Sequence, residues 1–170
     1  MKNTRITSLS GACVLTLCLS AGAAAQDQMM INVKRMSSDT ALAIAQKTLE
    51  ACRKEGVQVA VTVVDRGGHT MVVLRDTLAM DLTLEISRQK AYTAMSFNTA
   101  TSQLTDRFTH PFSVAKVQDV LPAAGGLPIT AAGAILGGVG VSGAPSGETD
   151  EKCARVALDA IEADLEMGMM

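Results

Sequence analysis

The sequence predicts an α/β protein of the α+β type, with a central antiparallel sheet of about five strands flanked by helices. Two apolar, partly β-branched runs are joined by a glycine-containing turn, which favours a hairpin and therefore antiparallel strands. Segments with apolar residues at helical spacing precede, separate and follow the strand segments. The predicted order is helix, two strands, helix, loop, two or three strands and helix.

Residues 1–25 have the layout of a secretory signal peptide. Lys2 and Arg5 provide a positive start, residues 6–19 are mostly apolar, and residues 23–25 are alanines that suit cleavage. The apolar run is shorter than the roughly 20 residues that span a bilayer, so we expect removal rather than a retained anchor. This segment predicts a periplasmic or secreted protein.

The chain that remains after removal of the signal peptide is mildly acidic. Loss of Lys2 and Arg5 from the 15 basic side chains leaves 13 against 17 acidic ones, a net charge of −4. The sequence has no basic run, so nucleic acid is not an expected partner. No later segment is long and apolar enough for a bilayer, so we expect no membrane insertion after signal removal.

Residues 26–37 are interpreted as a leader and residues 38–166 as one domain. The first helix is predicted to begin at a cap provided by Ser38 or Asp39 and to run to about Lys54. Small and apolar residues at helical spacing predict one buried face. The stripe consists of Ala41, Ala45, Thr48 and Cys52.

Residues 57–64 form a β-branched run with apolar side chains at odd and even positions, which indicates a strand buried on both faces. Residues 66–69, with the sequence Arg-Gly-Gly-His, predict a hairpin turn because glycine accepts the positive φ of tight turns. Residues 70–74 are the predicted return strand.

Asp81 or Thr83 is the predicted cap of a second helix, which extends to about Phe97. Residues 99–104 predict a short helical turn, and residues 105–120 predict a long loop with some helix, a length that is often functional. The side chains expected on the buried face of the second helix are Ile86, Ala91, Ala94 and Met95.

Residues 125–128 predict a turn, followed by a short strand at 129–130 and a longer apolar strand at 134–141. The glycines inside the longer strand predict the close approach of another backbone or of a ligand. They do not indicate a phosphate loop, which would lie between a strand and the helix that it opens. Residues 148–165 predict the closing helix. The strand glycines are Gly137, Gly138 and Gly140.

Cys52 and Cys153 are the two cysteines that remain after signal removal, and they fall on the first and last predicted helices. If these helices pack antiparallel, the two sulfur atoms can meet in a disulfide, which an oxidising compartment allows. Two buried free thiols are the alternative, because a free Cys behaves as a small hydrophobe. The sequence leaves both possibilities open.

Two histidines are candidate ligands for haem iron, which accepts an imidazole in many proteins. His110 lies in the long loop between Phe108 and Phe112, and His69 lies in the hairpin turn. Two ordinary surface histidines are the alternative, because no set of metal ligands with recognisable spacing accompanies them.

Arg75 and Lys90 are the cations most expected to face a ligand pocket. Arg75 closes the second strand, and Lys90 lies in the middle of the second helix among apolar neighbours. Either could hold a carboxylate, including a haem propionate, through charge-assisted hydrogen bonds. An ion pair within the chain, for example with Asp65 or Asp76, is the alternative. No residue is assigned a catalytic role.

Five segments, taken in order, resemble the GlcG/HbpS family, which includes the C-terminal domain of PduO-type proteins. They match its first hairpin, the arginine after its second strand, its Lys-Ala-x-Thr-Ala helix pattern, its Gly-Gly-x-Pro-Ile turn and its closing signature. The resemblance covers about residues 38–165. The segments are residues 63–69, 75–76, 90–94, 125–129 and 140–144, the last with Asp150, Glu151, Cys153 and Ala154.

The resemblance implies a helix-flanked antiparallel sheet, assembly into homo-oligomers and, as in some members, haem binding. The function that we expect is an exported haem- or tetrapyrrole-binding protein for haem or iron handling or for redox sensing. An enzyme or accessory protein that acts on a small carboxylate such as glycolate is the alternative. A binding protein is favoured over an enzyme.

Overall fold

The computed structural model describes residues 29–108 and 114–170. The predicted signal peptide and His110 lie outside the described residues. Residues 33–170 form one compact unit, and residues 29–32, which belong to a separate N-terminal unit, are exposed. Within the described ranges, no helix has the length and apolar character needed to cross a membrane.

The compact unit contains helices and strands in the predicted order. Its elements are α1 (Ser38–Lys54), β1 (Ala60–Asp65), β2 (Thr70–Arg75), α2 (Leu82–Phe97), β3 (Gly126–Ala131), β4 (Ala134–Ser142), α3 (Gly147–Asp159) and α4 (Glu162–Met167), with 3-10 turns at Thr101–Leu104 and Val114–Lys116.

The strands form one antiparallel sheet in the order β2-β1-β4-β3, which confirms the predicted fold class. The sheet has four strands rather than about five, because the described second half of the chain supplies only β3 and β4. Their connection is a two-residue turn of Ala132 and Gly133, both with positive φ. The turn expected at residues 125–128 was misplaced, since β3 already begins at Gly126.

The two faces of the sheet are covered by different helices. Helices α1 and α3 pack against each other and against one face, and α2 packs on the other face, chiefly over β4, β1 and β3. The central strand β1 is buried from Ala60 to Val64, as its β-branched run predicted. The main hydrophobic core lies between the sheet and the α1–α3 pair.

Cys52 of α1 and Cys153 of α3 form a disulfide, which decides between the two possibilities that the sequence left open. Their Cα atoms are 5.3 Å apart, and 101 positions separate them along the chain. Both side chains are fully enclosed in the core. The disulfide therefore fixes the pair of helices that covers one whole face of the sheet.

The helix ends differ in detail from the predictions. The cap of α1 is Ser37, whose hydroxyl accepts the Thr40 N–H at 3.1 Å, so the predicted caps Ser38 and Asp39 were wrong. Ser37 is the last residue with extended backbone, and Ser38 is already helical. The predicted closing helix is divided into α3 and α4, because the chain turns at Ile161 and buries that side chain in the core.

Helix α2 buries a different set of side chains from the one predicted. Ala91 and Ala94 are buried as expected, but Ile86 and Met95 are only half-buried. The sheet face of α2 consists instead of small and polar residues, because the helix lies too close to the strands for large side chains. The buried residues are Thr83, Ser87, Lys90, Ala91, Thr93 and Ala94.

Glycines in the strands permit this close approach, as the sequence predicted. A Cβ at Gly138 would come under 3.0 Å from the carbonyl oxygen of Ala91, and one at Gly140 would meet the carbonyl oxygen of Ser87 in the same way. These contacts are to helix backbone, which cannot move aside as a flexible side chain can. The helix and the sheet are therefore in backbone-to-backbone contact.

We expect Gly140→Ala to lower the free energy of unfolding by about 1–3 kcal/mol, the usual cost of overpacking a core. Urea unfolding of the mature protein measures the effect. Gly168→Ala is the matched control, because its added methyl would meet ordinary van der Waals distances of 3.5 Å at a negative φ. Equal losses for both variants would contradict the close packing of α2.

Replacement of both Cys52 and Cys153 by Ala should lower the free energy of unfolding by about 2–5 kcal/mol, since a long cross-linked loop restricts the unfolded chain. Thermal or urea unfolding with and without a reductant tests this. Reductant should bring the wild-type protein to the stability of the variant and leave the variant unchanged. A wild-type protein that is insensitive to complete reduction would show that the cross-link contributes nothing.

Candidate functional site

The hairpin turn between β1 and β2 holds His69 beside Asp65. His69 Nδ1 lies 3.3 Å from Asp65 Oδ1, and the His69 side chain is 82% exposed. The backbone N–H groups of Gly67 and His69 donate to the same carboxylate oxygen at 2.8 and 2.9 Å. The turn is thus organised around one carboxylate, with an exposed imidazole at its end.

The Asp65 carboxyl is kept ionised by this arrangement. Burial alone would raise its pKa, but the N–H donors of His69 and Gly67 and the His69 ring together hold the pKa below its usual value. Arg35 adds a further cation, with Nη1 3.8 Å from Asp65 Oδ2. An ionised carboxylate at Nδ1 orients the imidazole and leaves Nε2 as the available ligand atom, the usual relation for metal-bound histidines.

The turn also lies against the outer side of α2. Gly68, at φ +81°, is so close to the helix that a Cβ there would come within 2.7 Å of the Tyr92 ring and 3.1 Å of the Met95 methyl group. Tyr92 and Met95 are both half-buried. Gly68 thus packs the turn against an aromatic and a thioether side chain, while the His69 ring lies beside Gly67 and Asp65.

The loop after α2 contains the second predicted histidine site, and part of it is described. Phe108 packs on Phe97, with ring centroids 5.2 Å apart, and the Arg107 guanidinium lies 5.8 Å from the Phe108 ring. His110 and Phe112 lie outside the described residues.

From residue 114 onwards, the loop is attached to α2 by side-chain contacts. Arg88 forms an ion pair with Asp119, and the Leu121 N–H donates to Thr93 Oγ1 at 2.8 Å. Arg88 also pairs with Glu85 at 2.7 Å, and both acidic partners raise its pKa. One end of the predicted functional loop is thus anchored to the same helix that supports the hairpin turn.

Lys90 is buried and paired within the chain. Its Nζ donates to Val141 O at 2.9 Å and to Asp150 Oδ2 at 3.0 Å, and Asp150 Oδ1 accepts the Ala144 N–H at 3.0 Å. The expectation of an internal ion pair is met, but with Asp150 rather than Asp65 or Asp76. Burial raises the pKa of Asp150, while the Lys90 charge acts to lower it. The pair joins α2, β4 and α3.

Arg75 lies on the surface, at the end of β2. One Nη atom donates to the carbonyl oxygen of Ala79, and the side chain is otherwise exposed. Its neighbour Asp76 is paired with Arg53, whose Nε lies 3.0 Å from Oδ1. Arg75 and Lys90 thus have separate partners and do not share one anion site.

A groove of about 330 Å³ lies elsewhere, between β3, α3 and α4. Leu127, Leu158 and Leu165 form its apolar side and Arg155 contributes a charge. Its volume is at the lower end of the range for small-molecule sites, about 300–1,000 Å³. His69, Arg75 and Lys90 do not line it.

The chain matches the family model described as haem degrading protein HbpS-like over residues 36–159. It belongs to the HbpS-like family. The crystal structure of a double mutant of Streptomyces reticuli HbpS is similar, with a TM-score of 0.75 and 37% identity over 84% of this chain and 97% of that one.

Two further relatives extend the comparison. The crystal structure of a PduOC:heme complex has a TM-score of 0.68 and 28% identity, covering 75% of this chain and 96% of that one. An uncharacterized 15.0 kDa protein of Citrobacter freundii, encoded between dhaT and dhaS, is 31% identical over 138 residues, which are 76% of this chain and 96% of that protein.

Membership of the HbpS-like family confirms the resemblance drawn from five short segments. Two residues in those segments have structural roles that sequence spacing alone did not indicate. Asp65 directs the hairpin turn, and Asp150 neutralises Lys90. A carboxylate four residues before a histidine, across a glycine turn, was a signal available for the first. The second involves partners 60 positions apart and has no local signal.

Lys90→Met should lower the free energy of unfolding by about 3–5 kcal/mol, because it leaves the Asp150 charge buried without its partner. The double variant Lys90→Met/Asp150→Asn should recover much of the loss, since the amide oxygen can still accept the Ala144 N–H. Urea unfolding of both measures this. Lys152→Met, which removes the exposed pair of Lys152 with Glu55, is the control and should change little. A Lys90→Met protein as stable as this control would refute the assignment.

Proposed function

We propose that this chain is an exported haem-binding protein that works as a homo-oligomer in haem or iron handling or in redox sensing. The observation that carries the proposal is the similarity over three quarters of the chain to a domain crystallised with heme. Family membership under the description haem degrading protein HbpS-like supports it independently.

His69 is the iron ligand that we favour, with His110 as the second candidate. An exposed imidazole whose Nδ1 faces an ionised carboxylate has the orientation of a typical metal-bound histidine. Haem iron accepts histidine as an axial ligand in many proteins.

Of the two predicted cations, Arg75 is the one available for a carboxylate such as a haem propionate, and it lies at the opposite end of β2 from His69. It is exposed and uses one of its donors on Ala79, so other N–H groups of the guanidinium remain for a carboxylate. Lys90 is the weaker candidate, because its ammonium group is enclosed by Asp150 and Val141.

Export is supported by the disulfide between Cys52 and Cys153, because such cross-links persist in oxidising compartments. The predicted signal peptide at residues 1–25 agrees with a periplasmic or secreted location.

Action on a small carboxylate such as glycolate is the alternative function. It requires Arg75 and Lys90 to face one pocket. Because Lys90 is already neutralised by Asp150, this requirement is poorly met and haem binding is favoured.

Titration of the mature protein with hemin should give a saturable Soret shift. His69→Ala should move the Soret band and weaken binding by at least about tenfold, and Asp65→Asn should weaken it less, by analogy with other groups that hydrogen-bond to metal-binding histidines. Arg66→Ala, in the same turn, is the control and should bind like the wild-type protein.

A wild-type spectrum that shifts no more than that of an unrelated control protein would refute haem binding. Unchanged binding by His69→Ala, together with loss in His110→Ala, would reject the His69 assignment and move the ligand to the long loop.

A further inference from the structure

The outer side of β2 carries backbone groups that have no partner in the described part of the chain. The Asp76 N–H donates to Val59 O at 3.0 Å, so Asp76 faces β1. Because antiparallel strands alternate between facing and outward positions, the N–H and C=O groups of Val73 and Arg75 point away from the sheet. β2 therefore presents an open edge.

The opposite edge of the sheet is closed. The outward N–H of Gly126 on β3 donates to Thr101 Oγ1 at 2.8 Å, and Pro128 has no N–H to offer. A proline and a capping side chain are common ways in which proteins block an edge strand. Among the described strands, β2 is therefore the edge strand whose backbone is available for pairing.

The open edge is also apolar. Val73 is 43% exposed on the α2 side of the sheet, where α2 covers mainly the other strands. The segment that follows β2 adds Leu78, Met80 and Leu82, which are 78%, 60% and 54% exposed. Apart from Arg75, the edge is apolar, and an open apolar edge favours pairing unless another surface covers it.

We propose that the β2 edge pairs with the β2 edge of a second copy about a two-fold axis at Val73. An antiparallel strand is complementary to its own two-fold copy, and such isologous contacts are the commonest in homo-oligomers. Here Val73 lies opposite Val73 of the partner subunit, and Arg75 lies opposite Met71 of the partner subunit. No two like charges oppose each other, and a sheet of eight strands results, four from each copy.

This pairing specifies the homo-oligomer of the proposed function, on which it rests, but it does not require haem. It would also bring the exposed Leu78 and Met80 of one copy towards the turn that carries His69 in the other. The second copy would thereby add apolar surface beside the candidate iron ligand.

Charge placed on the two-fold axis tests the pairing directly. Val73→Lys sets two cations opposite each other and should halve the mass measured by sedimentation equilibrium, as should Val73→Glu with two anions. An equimolar mixture of the two variants should return to the wild-type mass, because Lys then opposes Glu. Thr130→Lys puts the same charge at an exposed position on the closed β3 edge and should leave the mass unchanged.

A monomeric wild-type protein would overturn the proposal, as would Val73→Lys at the wild-type mass or a mixture that fails to reassociate. Far-UV circular dichroism of each variant confirms that dissociation is not unfolding. Hemin titration of the wild-type protein is read separately: edge pairing without a Soret shift would refute haem binding alone, and a Soret shift in a protein whose mass ignores Val73→Lys would refute the pairing alone.

Discussion

Helix α2 lies closer to the sheet than a strand lined with side chains would allow, because Gly126, Gly138 and Gly140 present no Cβ towards it. Small residues on the helix, Ser87 and Ala91 among them, complete this contact. Close packing of this kind brings dispersion contacts but leaves little room for adjustment. The other contacts on the α2 side of the sheet therefore depend on this short separation between the helix and the strands.

Polar groups secure the same contact. The Thr62 and Ser87 hydroxyls share a hydrogen bond of 2.8 Å between β1 and α2, and the Lys90–Asp150 pair connects α2 to the start of α3. Formation of a buried ion pair adds little net stability, since both charges lose their hydration, but removal of one partner alone is costly. The disulfide acts on the opposite face, so the two sides of the sheet are held by different chemistry.

The placement of α2 also determines what the candidate site contains. The hairpin turn reaches the outer side of the helix only because Gly68 fits against Tyr92 and Met95. Asp65 then fixes the turn and orients the His69 ring, which lies beside Gly67. The imidazole and the carboxylate thus belong to one turn, and the packing of Gly68 against α2 supports that turn.

The sequence predicted those features that depend on local pattern. The β-branched run of β1, the glycine turn before His69 and the function of the strand glycines in close approach all follow from residue type and spacing. The buried face of α2 was missed in part, because Ile86 and Met95 are apolar but too large for the gap. The Ala132–Gly133 turn was missed because alanine seldom adopts positive φ.

The pairing of Lys90 with Asp150 and of Arg53 with Asp76 depends on tertiary contacts, and no sequence spacing encodes it. The site could thus be predicted in part. Its histidine and glycines follow from the sequence pattern, whereas the apolar side chains against which the turn packs follow from the fold.

The central claim is that the turn held against α2 is the place where a porphyrin binds. A crystal structure of the ferric haem complex tests it most directly. The account predicts iron bound to His69 Nε2, with Nδ1 still facing the Asp65 carboxylate. Haem seated in the groove between β3, α3 and α4, with His69 free, would contradict it.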